Sequence, residues 1–170
     1  MYNLKSGEGG YRMSRIEAWL NPFAYKTDEG WQVVQSLYAI GSGGLFGSGL
    51  GESKQKYLYI PEPHNDFIFA ILAEELGLIG CFVVMLLFAI FIWRGILIAM
   101  KAEDIFGSLV AVGIVAMIGL QAILNIAVVT GTIPNTGISL PFFSYGGSAL
   151  WITLASVGIL LNISRSTKKI

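Results

Sequence analysis

The sequence predicts an all-α integral membrane protein, with three transmembrane helices and a long extracytoplasmic loop that carries short interfacial helices. Three observations predict it. Hydrophobic residues make up 54% of the 170 positions and charged residues only 13%; a soluble domain is roughly a quarter charged, so the apolar excess calls for lipid. Three apolar runs each come near the ~20 residues that cross a hydrocarbon core. Residues 1–65 hold no such run, but instead Pro22, several charges and the glycine series Gly41, Gly43, Gly44, Gly47, Gly49 and Gly51. The expected division is a head over 1–65, a membrane domain over 66–165 and a tail over 166–170.

Charge and cysteine usage exclude several classes. Eleven basic and eleven acidic residues balance to zero, which gives nucleic-acid binding no support. Cys81 is the single cysteine and lies in an apolar run, so neither an intrachain disulfide nor a zinc centre is expected. The chain opens into a polar loop with no cleavable signal peptide, and reads as the middle of something longer.

Each element has its own signal. A short helix is expected around Ser14 to Leu20, ended by Asn21-Pro22. From Asp28 to Ile40, Trp31, Val34, Leu37 and Tyr38 recur at three- and four-residue steps behind a capping Thr27 or Asp28. That pattern predicts a helix lying at the membrane surface. The spans follow at about 67–93, 105–129 and 145–163. The connection over 94–104 is short. The connection from Thr130 to Gly146 carries Pro134 and Pro141 and no charge, which suits a loop dipping back into protein.

Basic residues near span ends set the orientation. Arg94 and Lys101 lie in the short connection, and Arg165, Lys168 and Lys169 follow the third span. The C-terminus is therefore expected in the cytoplasm, with the 130–146 loop and residues 1–65 outside.

The candidate chemistry gathers where the head meets the first span. Tyr57-Leu58-Tyr59-Ile60-Pro61-Glu62-Pro63-His64-Asn65-Asp66 runs straight into apolar sequence. Asp66 at that seam reads either as a helix cap or as a base; partial desolvation lifts a carboxylate's pKa toward neutrality. Glu74 and Glu75 follow inside the apolar stretch, where carboxylates are costly. A continuous helix would set Glu74 roughly 12 Å deeper than Asp66, and only one of the two glutamates could share its cavity. Gln121 and Asn125, four apart, share a face pointing into the bundle, for interhelical hydrogen bonding or for lining a cavity. Lys54 and Lys56 suit an anionic head group or a solvated loop edge. His64 reads as a loop residue, although the alternation Glu62, His64, Asp66 leaves a divalent cation open. The glycine series matches no phosphate-binding loop, and is expected to form tight turns at the membrane surface.

Several long blocks together resemble the shape, elongation, division and sporulation family that includes FtsW, RodA and SpoVE. They are Arg15-Ile16-Glu17-Ala18-Trp19-Leu20-Asn21-Pro22, the stretch Gln35 to Gly47, Tyr59 to Ala70, Ala73-Glu74-Glu75-Leu76-Gly77, Gly131 to Gly137, and Leu140 to Ser148. They fall in order from about Tyr11 to Arg165. The resemblance implies a bundle of about ten helices that polymerises peptidoglycan glycan strands from lipid II beside a class B penicillin-binding protein. It implies that Asp66 is the general base, taking the proton from the acceptor sugar's 4-hydroxyl as undecaprenyl pyrophosphate leaves with inversion. Lys54, Lys56, His64, Glu74, Gln121 and Asn125 form the candidate substrate-binding set, and no metal ligand is assigned. The family's first six or seven helices are missing. Three spans alone are therefore expected to leave Glu74 or Glu75 without a partner and to make no glycan. A lipid II flippase and a non-catalytic membrane scaffold for a penicillin-binding protein are the alternatives.

Overall fold

The computed structural model describes residues 16–17, 19–22, 29–49, 51, 66–144 and 146–166, and among them regular structure is helical throughout. Four helices follow in order: α1 Glu29–Gly43, α2 Ile68–Lys101, α3 Ile105–Val129 and α4 Gly147–Arg165. The last three are long and apolar enough to cross a membrane. Ile16, Glu17, Trp19 and Leu20 are also helical. The Asn21 amide donates to the Glu17 carbonyl at 3.0 Å, and Pro22 then stops the turn, as the sequence implies.

α2 and α3 are antiparallel and closely packed. A side chain at Gly95 would collide with Val115, and one at Gly119 would come within 3.1 Å of Ile92. Small residues let membrane helices approach where lipid gives apolar side chains no reason to pair. Their connection is shorter than the expected 94–104 loop, because α2 continues to Lys101. Gly95 does not break it, since the residue is buried against α3 and Ile96 to Met100 prolong the apolar run. The turn is closed by Asp104, whose carboxylate accepts the Gly107 amide at 2.8 Å, and by Ser108, whose hydroxyl donates to the Ala99 carbonyl at 2.8 Å.

α2 is not one straight span. Gly77 has φ 68° and ψ −168°, outside helical space. In an unbroken helix the amides of Leu78 and Ile79 would donate to the carbonyls of Glu74 and Glu75. Here Leu78 donates to Gly44 (2.9 Å) and Ile79 to Leu45 (3.3 Å), while Ser48 and Gly49 donate to Glu74 (2.9 Å) and Glu75 (3.1 Å). The glycine loop thus enters the gap and pairs with these four groups. Buried backbone groups away from water need such partners.

The bend redirects the chain. A straight helix from residue 68 to Met85 would separate its ends by roughly 25 Å. Yet both reach the same stretch of α3: Asn125 holds the carbonyl of Asp66, and Met85 lines one groove with Ile126 and Ala127. Residues 68–76 therefore form an arm folded back toward residues 78–101. Glu74 sits near the bend of this arm, rather than partway down a continuous span as the sequence reading had it.

α1 packs against both α2 and α3. Val33, Val34, Ser36 and Ala39 are buried, while Tyr38, counted in the expected apolar stripe, is 55% exposed. The shift has a physical reason: α1 meets both α2 and α3, so more than one stripe is covered. Ser36 makes this possible for a polar residue, because its hydroxyl lies 2.8 Å from the Val33 carbonyl and 3.1 Å from that of Val129. Phe67, Phe69, Ala70, Phe88, Ile118, Ala122 and Leu140 join the arm, α2, α3 and the 130–146 connection into one core.

Candidate active site

Asp66 occupies the turn before α2 and is half-buried. The helix cap is Phe67, one residue later, with no side-chain capping bond. The Asp66 carboxylate faces Gly137, where a built Cβ would stand 3.5 Å from Oδ2. Gly137 has φ +67°, a conformation that side chains other than glycine rarely adopt. The carboxylate therefore meets the 130–146 connection at a position without a side chain.

Asn125 ties these parts together. Its Nδ2 donates to the Asp66 carbonyl at 2.8 Å and to the Ile138 carbonyl at 2.7 Å. The residue is 0% exposed, and its Oδ1 has no hydrogen-bond partner among the described residues. The 130–146 connection packs back onto α3 as its uncharged composition suggested. Leu140 is buried, its amide donates to the Ser144 hydroxyl at 2.8 Å, and Trp19 donates its indole hydrogen to the Gly131 carbonyl at 2.7 Å.

Two concavities border this region. One, of about 490 Å³, is lined by Ile68, Phe142, Phe143, Ser144, Gly146, Gly147 and Leu150, so it opens two residues from Asp66. The other, of about 180 Å³, lies between α3 and α4, and carries Gln121, Ser139, Ser144 and Thr153 among apolar walls. Phe142 borders both, with φ 69°, a strained value for a residue with a side chain. Its ring meets Phe91 edge-on at 6.1 Å and lies 6.4 Å from Phe88.

The sequence-derived candidates separate on this scaffold. Asp66 and Asn125 come together directly. Gln121 shares the Asn125 face of α3, as their spacing predicts, but opens into the smaller cavity. Glu74 is buried at 4% exposure beside the bend, where its carbonyl accepts the Ser48 amide and hydroxyl. Glu74 also makes a further interaction. Lys54, Lys56, Glu62 and His64 lie outside the described residues. No group of His, Cys, Asp and Glu suited to a metal ion occurs among the described residues. Sequence reasoning missed Gly77 and Gly137 as parts of the site. The signal for Gly77 was a glycine directly after two glutamates inside an apolar run; for Gly137 there was only an Asn-Thr-Gly turn.

Comparisons with known proteins agree with this architecture. The family model described as a cell cycle protein, covering FtsW, RodA and SpoVE, matches residues 6–169. Stage V sporulation protein E of Bacillus subtilis (strain 168) is 58% identical over 158 residues, which cover 93% of this chain and 43% of the relative. A probable peptidoglycan glycosyltransferase FtsW of Trichlorobacter lovleyi is 53% identical over 158 residues, covering 93% of this chain and 42% of that protein. A chain in a solved peptidoglycan synthase complex that coordinates polymerization and crosslinking superposes with TM-score 0.72 at 32% identity, over 96% of this chain and 43% of that one. The chain thus spans about two fifths of the length of the relatives it matches.

Proposed function

Given that the chain belongs to the FtsW, RodA and SpoVE family of cell cycle proteins, we propose that it forms the C-terminal part of a peptidoglycan glycosyltransferase in which Asp66 is the general base. One observation carries this reading: Asp66 is half-buried yet partly open, on a turn held to α3 and facing a glycine across a loop. A base needs that combination of fixed position and access.

The reaction class follows from the groups involved. The substrate is lipid II, and the acceptor end of the strand offers a sugar hydroxyl. Asp66 accepts the hydroxyl proton while the oxygen attacks the donor's anomeric carbon, and the pyrophosphate-linked lipid departs from the opposite face. Lys54 and Lys56 are the cations of this chain proposed to stabilise the departing negative charge. The activity belongs to the whole protein, with a class B penicillin-binding protein as partner.

The proposed orientation places the Asp66 end outside the cytoplasmic membrane. Lys101 and Arg165 each sit in the last turn of their helix. Because α3 runs back between α2 and α4, these two ends share one face, and the positive-inside rule puts that face in the cytoplasm.

The test replaces Asp66 in the complete protein carrying this segment. Asp66→Asn is expected to reach the membrane folded, and to lower glycan polymerisation from lipid II by about 10²–10⁴-fold, the usual loss on removing a general base. Polymerisation at the parent rate would reject the assignment. Passage of lipid II across vesicles without polymer, dependent on Glu74 and indifferent to Asp66, would point to a flippase.

A further inference from the structure

We propose that Asn125 is a positioning residue for the Asp66 carboxylate, an inference that rests on the glycosyltransferase reading above. The carboxamide touches the backbone of two irregular segments whose places no helix sets: the turn at Asp66 and the loop at Ile138. Both contacts are to carbonyl oxygens, which accept and do not donate, so the amide NH2 must face them. That fixes Oδ1 on the other side, where it is buried with no partner among the described residues.

An unpaired buried acceptor is unfavourable. A leucine of similar size would remove that cost but also both contacts. Asparagine therefore holds something that packing alone does not supply. The Asp66 carbonyl carbon is bonded to the Cα that bears the side chain, so the clamp fixes the origin of the carboxylate. The second contact fixes Ile138, next to Gly137, which the carboxylate faces. One side chain thus sets the spacing between the proposed base and the loop across from it. Being 0% exposed, with both amide hydrogens used, Asn125 acts through Asp66 rather than on substrate.

The experiment uses the complete protein with lipid II as substrate, and compares Asn125→Ala, Asn125→Leu, Asp66→Ala and the double variant Asp66→Ala/Asn125→Leu. Asn125→Leu fills the volume and removes the unpaired oxygen, so it keeps the test informative if Asn125→Ala fails to fold. The expected result is a kcat roughly 10- to 100-fold lower with KM within about twofold of the parent, as for a reacting group displaced by about an ångström. Amide hydrogen exchange should quicken at residues 66–70 and 136–141 while α3 keeps its protection. In the double variant the residual rate should fall no further than in Asp66→Ala, since both changes act on one group. A parent-like kcat for Asn125→Leu while Asp66→Ala is inactive would overturn this inference and leave the reading of Asp66 intact. Parent-like activity of Asp66→Ala would overturn both. Exchange quickened evenly along the whole chain, with unchanged kcat per folded molecule, would show a purely structural role and also overturn it.

Discussion

Gly47 and Gly77 meet backbone to backbone. A Cβ at Gly77 would collide with the Gly47 amide and lie 2.6 Å from the Leu45 carbonyl oxygen, and a Cβ at Gly47 would collide with the Glu75 carbonyl. The bend in α2 and the glycine loop that fills it are therefore one device. It decides where residues 68–76 go, and with them Asp66.

Alanine at either position is expected to be costly. Gly47 has φ +79° and Gly77 φ +68°, and both lack room. Each substitution adds left-handed strain of about 1–2 kcal/mol to a backbone clash, so a loss of at least about 2 kcal/mol is expected. Gly44 shares the positive φ, at +55°, but has nothing within 4 Å; Gly44→Ala should show the strain alone. Thermal unfolding of the three variants in detergent separates the two contributions, and equal losses at all three would argue against the interlock.

The α2–α3 contact gives a second contrast. Gly95 abuts Val115, whereas Gly113 on α3 has open space. Gly95→Ala is expected to destabilise by about 1–3 kcal/mol through overpacking. Gly113→Ala should be neutral, or stabilise by up to about 1 kcal/mol, through helix propensity. Melting points of the pair decide it, with a destabilising Gly113→Ala being the unexpected outcome.

The tight connection between α2 and α3 rests on two side chains. Asp104→Ala removes the cap at Gly107 and is expected to cost about 1 kcal/mol. Ser108→Ala removes the bond to Ala99 and should cost about 0.5–1.5 kcal/mol. Because both close the same turn, the double variant should depart from additivity, which a double-mutant cycle on unfolding free energies measures.

Trp19 ties the segment before α1 to the loop after α3. Trp19→Phe keeps an aromatic ring but loses the indole donor to Gly131. A stability loss of about 0.5–1.5 kcal/mol is expected, with faster amide exchange around Gly131. Unchanged exchange there would show that the bond does not hold the loop.

Much of the fold was legible because lipid imposes a crude filter. A chain that crosses it must pair its backbone polar groups internally, in helices or closed barrels, and the helical solution announces itself as long apolar runs. The α3 and α4 spans fall within two residues of their expected bounds. The end of α2 was harder to place, since Arg94 suggested an exit although the apolar run resumed behind Gly95. The amphipathic reading of α1 named the helix but not its buried face, because a helix covered from two sides has no single stripe.

The sequence by itself determined the fold class and the three long apolar helices, since both depend on composition and spacing along the chain. Only the tertiary structure decided that α2 folds back at Gly77, that the glycine loop completes the broken hydrogen bonds, and that Asn125 grips Asp66 from 59 residues away. Those outcomes depend on which backbone groups find partners across space, and no local pattern encodes a partner that far along the chain.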